Sequence, residues 1–125
     1  MSAPSRPSER SLMKDRSFHD YIVHDLMGQI PGITSRAMFG GWGIYKGGVI
    51  FAIIVDGELY FKVDDSNRPE FKRMESRAFV YAKKGGKRIT MSYWLVPEDV
   101  LEDQERLSEL IDKSAAISRK GKARR

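Results

Sequence analysis

The stretch Arg36–Val63, RAMFGGWGIYKGGVIFAIIVDGELYFKV, constrains this chain more than any other. Asp56-Gly57 sits between two apolar runs. Both positions of a two-residue type I′ hairpin turn need positive φ, and Asp-Gly meets that need at little steric cost. Lys46-Gly47-Gly48 marks a second reversal just upstream. Between the two turns, Val49 to Val55 is apolar throughout, which predicts a central strand covered on both faces. Leu59, Phe61 and Val63 then alternate with Glu58, Tyr60 and Lys62, as in a strand covered on one face. The stretch reads as three consecutive antiparallel strands, with Gly40, Gly41, Gly43, Gly47, Gly48, Asp56 and Gly57 as its structural turns and bends.

A chain of 125 residues with 41% hydrophobic content has room for one self-sufficient core. No apolar run approaches the roughly 20 residues of a membrane-spanning helix. The first residues lack the apolar core of a signal peptide, and there is no cysteine for a disulfide or a zinc–thiolate site. These features fit a cytoplasmic protein. The net charge of +5 belongs to the ends. Arg119, Lys120, Lys122, Arg124 and Arg125 close the chain with no acid after Asp112, and Arg6, Arg10, Lys14 and Arg16 outnumber the acids of the leader. The body between is slightly acidic. The expected organisation is a disordered leader over 1–16, one domain over 17–118 and a disordered basic tail over 119–125.

Ser17 is placed as a helix N-cap, with Asp20 in the capping-box position. Phe18, Tyr21, Ile22 and Leu26 give that helix an apolar face at α-helical spacing. Ile33 to Phe39 predicts a first strand. Asn67 is placed as the cap of a short helix carrying Phe71 and Met74. Ala78–Lys83 and Arg88–Trp94 flank a second hairpin turn, Lys84-Gly85-Gly86-Lys87. Pro97 opens an acidic turn. Asp103 caps a final helix whose buried face is Leu107, Leu110, Ile111 and Ala115. The predicted class is α+β, a twisted antiparallel sheet of about five to six strands packed against N- and C-terminal helices.

Catalytic and ligand motifs are harder to find. Gly41-Trp42-Gly43 is followed by Lys46 where a dinucleotide fingerprint needs glycine, and no GxxxxGK[ST] exists. His19 and His24 lie five apart, about 500° around an α-helix, so they are not expected to share a face. Asp64, Asp65 and Asn67 suit turn and capping roles better than calcium ligation. Ser92 sits mid-strand without a nucleophile elbow. A non-enzymatic protein without cofactor or metal is therefore expected. Tyr60, Lys62, Thr90, Ser92 and Trp94 are the candidate interaction surface, on one polar-aromatic side of the sheet. The alternative is nucleic-acid binding through the tip Lys83, Lys84, Lys87 and Arg88, with Arg119, Lys120, Lys122, Arg124 and Arg125 as further phosphate contacts. A small-ligand site is a third reading. Uncovered sheet edges also predict a homodimer.

Three pieces carry a family resemblance: Met38-Phe39-Gly40-Gly41-x-Gly43, Leu59-Tyr60-x-Lys62-Val63-Asp64, and Met91-Ser92-Tyr93 with Val96-Pro97. Together they resemble the N-terminal domain of the TfoX/Sxy bacterial competence regulators, over about Phe18 to Ile117. The resemblance implies a transcriptional coregulator that works with a protein partner, a transcription activator or polymerase. The founding regulators carry a second, helical domain. This chain is expected to be a stand-alone short form without it. The resemblance supplies no catalytic residue.

Overall fold

The computed structural model describes residues 16–38, 40–82 and 85–123. A helix over 16–26 (α1) leads into four strands, Ile33–Met38 (β1), Gly41–Lys46 (β2), Val49–Val55 (β3) and Glu58–Lys62 (β4). A short helix, Arg68–Arg73 (α2), precedes Ala78–Ala82 (β5) and Arg88–Leu95 (β6). Two helices follow, Glu98–Leu101 (α3) and Gln104–Ala123 (α4).

All strand pairs are antiparallel, in the order β1-β2-β3-β4-β6-β5. The first four strands form a meander because each turn is short and glycine-bearing. Asp56 (φ 52°) and Gly57 (φ 72°) both take the left-handed conformation that a type I′ turn requires. β6 then enters beside β4, leaving β1 and β5 as the edges. Gly41 is required for a different reason: a β-carbon there would stand 2.1 Å from the Ile54 carbonyl oxygen on β3. The register shifts fall elsewhere, between Ile44 and Tyr45 opposite β3 and between Ala78 and Val80 opposite β6.

Among the described residues, helices cover one side of the sheet only. Ile44, Phe51, Ile54, Leu59 and Phe61 point into that side and are buried against Leu107, Leu110 and Ile111 of α4 and Ile22 and Met27 at α1. Phe51 and Phe61 meet edge-on with ring centroids 5.5 Å apart. β3 is therefore sealed on one side, while Ile50, Ile53 and Val55 on its other side are half-buried, with no helix among the described residues above them. This departs from the expected strand covered on both faces.

Several local expectations change as well. Ser17 already lies inside helix, so it is not the cap. Tyr21–Leu26 winds as a π-helix, and the Met27 N–H donates to the Ile22 carbonyl at 2.9 Å. An i→i+5 bond stacks residues five apart, so Ile22 and Met27 are buried while Tyr21 is 39% exposed. Asn67 makes no capping bond to α2. Its side chain instead accepts from the Asp64 N–H at 2.8 Å and donates to the Lys62 carbonyl at 3.2 Å, stitching β4 to α2. Asp103 does cap α4, accepting from the Arg106 N–H at 3.1 Å. The acidic turn after Pro97 is the helix α3. α4 runs on to Ala123, so Arg119, Lys120 and Lys122 stand on a helix and not in a disordered tail. Residues 1–15 of the leader, and Arg124 and Arg125, lie outside the described residues.

Candidate functional site

The register between β4 and β6 decides which residues share a surface. Phe61 stands opposite Trp94, and Lys62 opposite Tyr93. Directly opposed residues lie on the same side of a sheet. Phe61 is fully buried under the helices, so Trp94, and with it Ser92 and Thr90, belongs to the helix side. Tyr60 and Lys62 belong to the other. The five residues Tyr60, Lys62, Thr90, Ser92 and Trp94 therefore do not form one surface. Side chains alternate within each strand as expected, but the pairing of β4 with β6 sets the two strands in the opposite phase.

The uncovered side is instead built from Tyr60 and Lys62 with Ile50, Ile53, Val55, Phe79, Tyr81, Met91 and Tyr93. Between them runs a largely apolar groove of about 450 Å³, closed at the β1–β2 end by Met38 and Gly41. Tyr60 packs on Phe79 at 4.9 Å, and Phe79 stacks on Tyr81 at 6.4 Å between ring centroids. Tyr81 is 41% exposed. The Lys62 ammonium lies 5.2 Å from the centre of the Tyr93 ring, and the Arg36 guanidinium 6.0 Å from that of Tyr45. Lys62 thus flanks the groove at Tyr93.

Burial pushes the Tyr60 hydroxyl up to about 12, helped by its hydrogen bond to Glu58 and by that carboxylate's charge, with Arg77 opposing. The Tyr60 O–H donates to Glu58 Oε1 at 2.8 Å, and Arg77 reaches the same oxygen at 3.2 Å. Burial also raises Tyr93. Both phenols therefore stay neutral donors at physiological pH.

A second constellation escaped the sequence reading. His19 is buried, and its ring lies 4.0 Å from that of Trp42. Its Nδ1 is 2.9 Å from Asp20 Oδ1, and its Nε2 is 2.8 Å from Ser35 Oγ on β1. The His24 ring stands 6.1 Å away, because the π turn brings positions five apart together. The expectation that the two histidines point apart assumed α-helical rotation and is corrected. The order carboxylate–imidazole–hydroxyl is that of a nucleophilic triad, which the sequence reading did not find. A triad carboxylate is sequestered from solvent, however, whereas the Asp20 side chain is 58% exposed. We read the chain as a latch holding α1 to the edge strand.

The basic candidates divide. Lys87 and Arg88 are exposed at the β5–β6 tip, and Lys83 and Lys84 lie outside the described residues. Arg119, Lys120 and Lys122 are exposed on the last turns of α4. Among the described residues no group of three or more His, Cys, Asp or Glu side chains is arranged to hold a metal ion.

A family model described as the TfoX N-terminal domain matches residues 25–117. The match runs from within α1 into α4 and takes in all six strands. Protein Sxy of Escherichia coli (strain K12) is 25% identical over 105 residues, which is 84% of this chain and 50% of that protein. The chain thus spans about half the length of that relative.

Proposed function

Starting from the chain's membership of the TfoX N-terminal domain family, we propose that it is a non-enzymatic interaction module of a transcriptional coregulator. It docks a protein partner on the side of the sheet that its own helices leave bare. One observation carries this reading. Among the described residues, helices pack the six strands on one side, while the other side shows an aromatic and aliphatic groove flanked by Lys62 at Tyr93. An apolar patch with a polar rim is the usual anatomy of a protein interface. The kind of partner, a transcription activator or polymerase subunit at competence-type promoters, is suggested by the likeness to Sxy. Such a role places the protein in the cytoplasm. No described helix is long and apolar enough to cross a membrane.

The test is a pair of variants on the groove floor, Met91→Glu and Tyr81→Ser. Both side chains are partly exposed, so melting should move little, while capture of the activator or polymerase from the native cell is lost. Undiminished capture by the folded double variant would sink the reading. Homodimerisation through the β1 or β5 edge belongs to the same proposal. Light scattering that gives only the 14.3 kDa monomer at high concentration removes it.

A second reading rests on the extension of α4, which sets Arg119, Lys120 and Lys122 on an exposed helical end. Nucleic acid bound there, with Lys87 and Arg88, gives a mobility shift that weakens steeply with salt. A shift insensitive to Arg119→Gln with Lys122→Gln excludes this surface.

A further inference from the structure

The end of α4 closes over the β2–β3 hairpin and leaves a second hollow of about 380 Å³, which meets the sheet-face groove only at Ile50. That volume lies within the range of small-molecule sites, about 300–1,000 Å³. Tyr45, Val49 and Ile50 supply an apolar side, Lys62 enters from β4, and Ser118, Gly121 and Lys122 come from α4. Arg119 stands at the rim: a β-carbon on Gly47 would be 3.9 Å from its Nη2. The hairpin is pinned to the helix by Lys46, whose ammonium meets Asp112 at 2.8 Å, so that cation is already paired. Among the described residues, no carboxylate forms an ion pair with Lys62, Arg119 or Lys122.

Two further observations call for a ligand. The Ser118 hydroxyl is sealed from solvent and has no hydrogen-bond partner among the described residues. An unmatched buried hydroxyl is costly, and rotation of the side chain towards the hollow would let an incoming acceptor remove the cost. Gly121 lies within α4 where a β-carbon would meet nothing within 4 Å. The space over it is therefore open, although alanine would serve the helix better.

From this geometry we propose that the hollow binds a small phosphate monoester carried on an aromatic or apolar body. A monoester brings close to two negative charges and three acceptor oxygens to three unpaired cations and the Ser118 hydroxyl. Its body lies on Tyr45, Val49 and Ile50. A carboxylate matches less of that charge, and a backbone diester carries a single charge. The site adjoins the docking face, with which it shares Ile50 and Lys62, while the α4 residues that line it take no part in the sheet-face groove.

The experiment is a titration of the full chain with phenyl phosphate, followed by backbone amide shifts. Saturable shifts are expected at Gly48, Lys62, Ser118 and Gly121. Gly121→Leu fills the hollow and should weaken binding at least about tenfold with melting unchanged or raised, and Lys62→Met should weaken it about tenfold. Lys72→Met, an exposed cation on α2, should bind as the parent does. Should Gly121→Leu not fold, Lys62→Met and the shift pattern decide. Absence of saturable shifts, equal binding of phenylacetate, or full binding by Lys62→Met overturns the proposal. So does a duplex without terminal phosphates that shifts these residues where phenyl phosphate does not, which would assign the surface to nucleic acid.

Discussion

At the scale of single residues, the buried polar residues His19, Asn67 and Ser114 are fasteners. The Ser114 hydroxyl, fully buried, donates to the Lys62 carbonyl at 2.8 Å, and Asn67 donates to the same oxygen. Ser114→Ala removes one of the two donors and should cost about 1 kcal/mol in chemical denaturation, because the carbonyl keeps the other. Tyr60 makes a pH prediction with a definite sign. Its hydroxyl is raised to about 12, so between pH 10 and 12 the folded state holds the proton more tightly than the unfolded chain. Its contribution is complete below pH 10 and is lost as the pH climbs towards 12. Melting temperature should therefore drop between pH 9.5 and 11.5 by more in the parent than in Tyr60→Phe; equal drops refute the assignment. None of these fasteners is legible as such in the sequence. Asn67 reads as a cap, and His19 as a partly exposed helix residue, because their partners Lys62, Asp64 and Ser35 are fixed by tertiary approach and not by spacing.

At the scale of elements, the β-meander is the part the sequence spells out, since Asp56-Gly57 and Gly47-Gly48 fix the turns locally. The glycines of β2 are not equivalent, and this separates two substitutions. At Gly41 a methyl group meets the Ile54 carbonyl, a backbone atom in the neighbouring strand. Gly41→Ala must part β2 from β3, and should cost about 3 kcal/mol. At Gly43 the nearest atoms are the Met38 sulfur at 2.9 Å and Ile50 Cδ1 at 3.0 Å, both ends of mobile side chains on the open face. Gly43→Ala should cost under about 1 kcal/mol. Matched thermal melts that rank the two in the other order contradict the register of β2 on β3. The π turn of α1 has no comparable local signature. An α-helix would bury Leu26; the observed winding draws Met27 into the core instead. The choice depends on what α1 packs against. The candidate surface failed for a related reason. Thr90, Ser92 and Trp94 alternate as clearly as Tyr60 and Lys62 do, but α2 and β5 intervene before β6 pairs with β4, so nothing local sets the relative phase.

At the scale of the whole molecule, one core joins α1, α4 and the four central strands, and Phe51 lies at its centre with no exposure. Phe51→Ala should lower unfolding free energy by about 3–5 kcal/mol, a large part of the stability of a typical domain. A denaturant midpoint close to the parent's would refute the placement. The strand order has another consequence, which concerns synthesis. β1 to β4 emerge first and can pair in sequence, but the outer edge of β4 stays open until β6 has been made. The apolar side of β3 and β4 stays bare until α4, the last 20 described residues, arrives to cover it. A nascent chain therefore passes through a half-built sheet with both an unpaired edge and an exposed core surface, the features that make intermediates aggregate. Ribosomes that stall before Gln104 should release a product in need of chaperone capture, whereas a stall after Ala123 should release one that closes on its own.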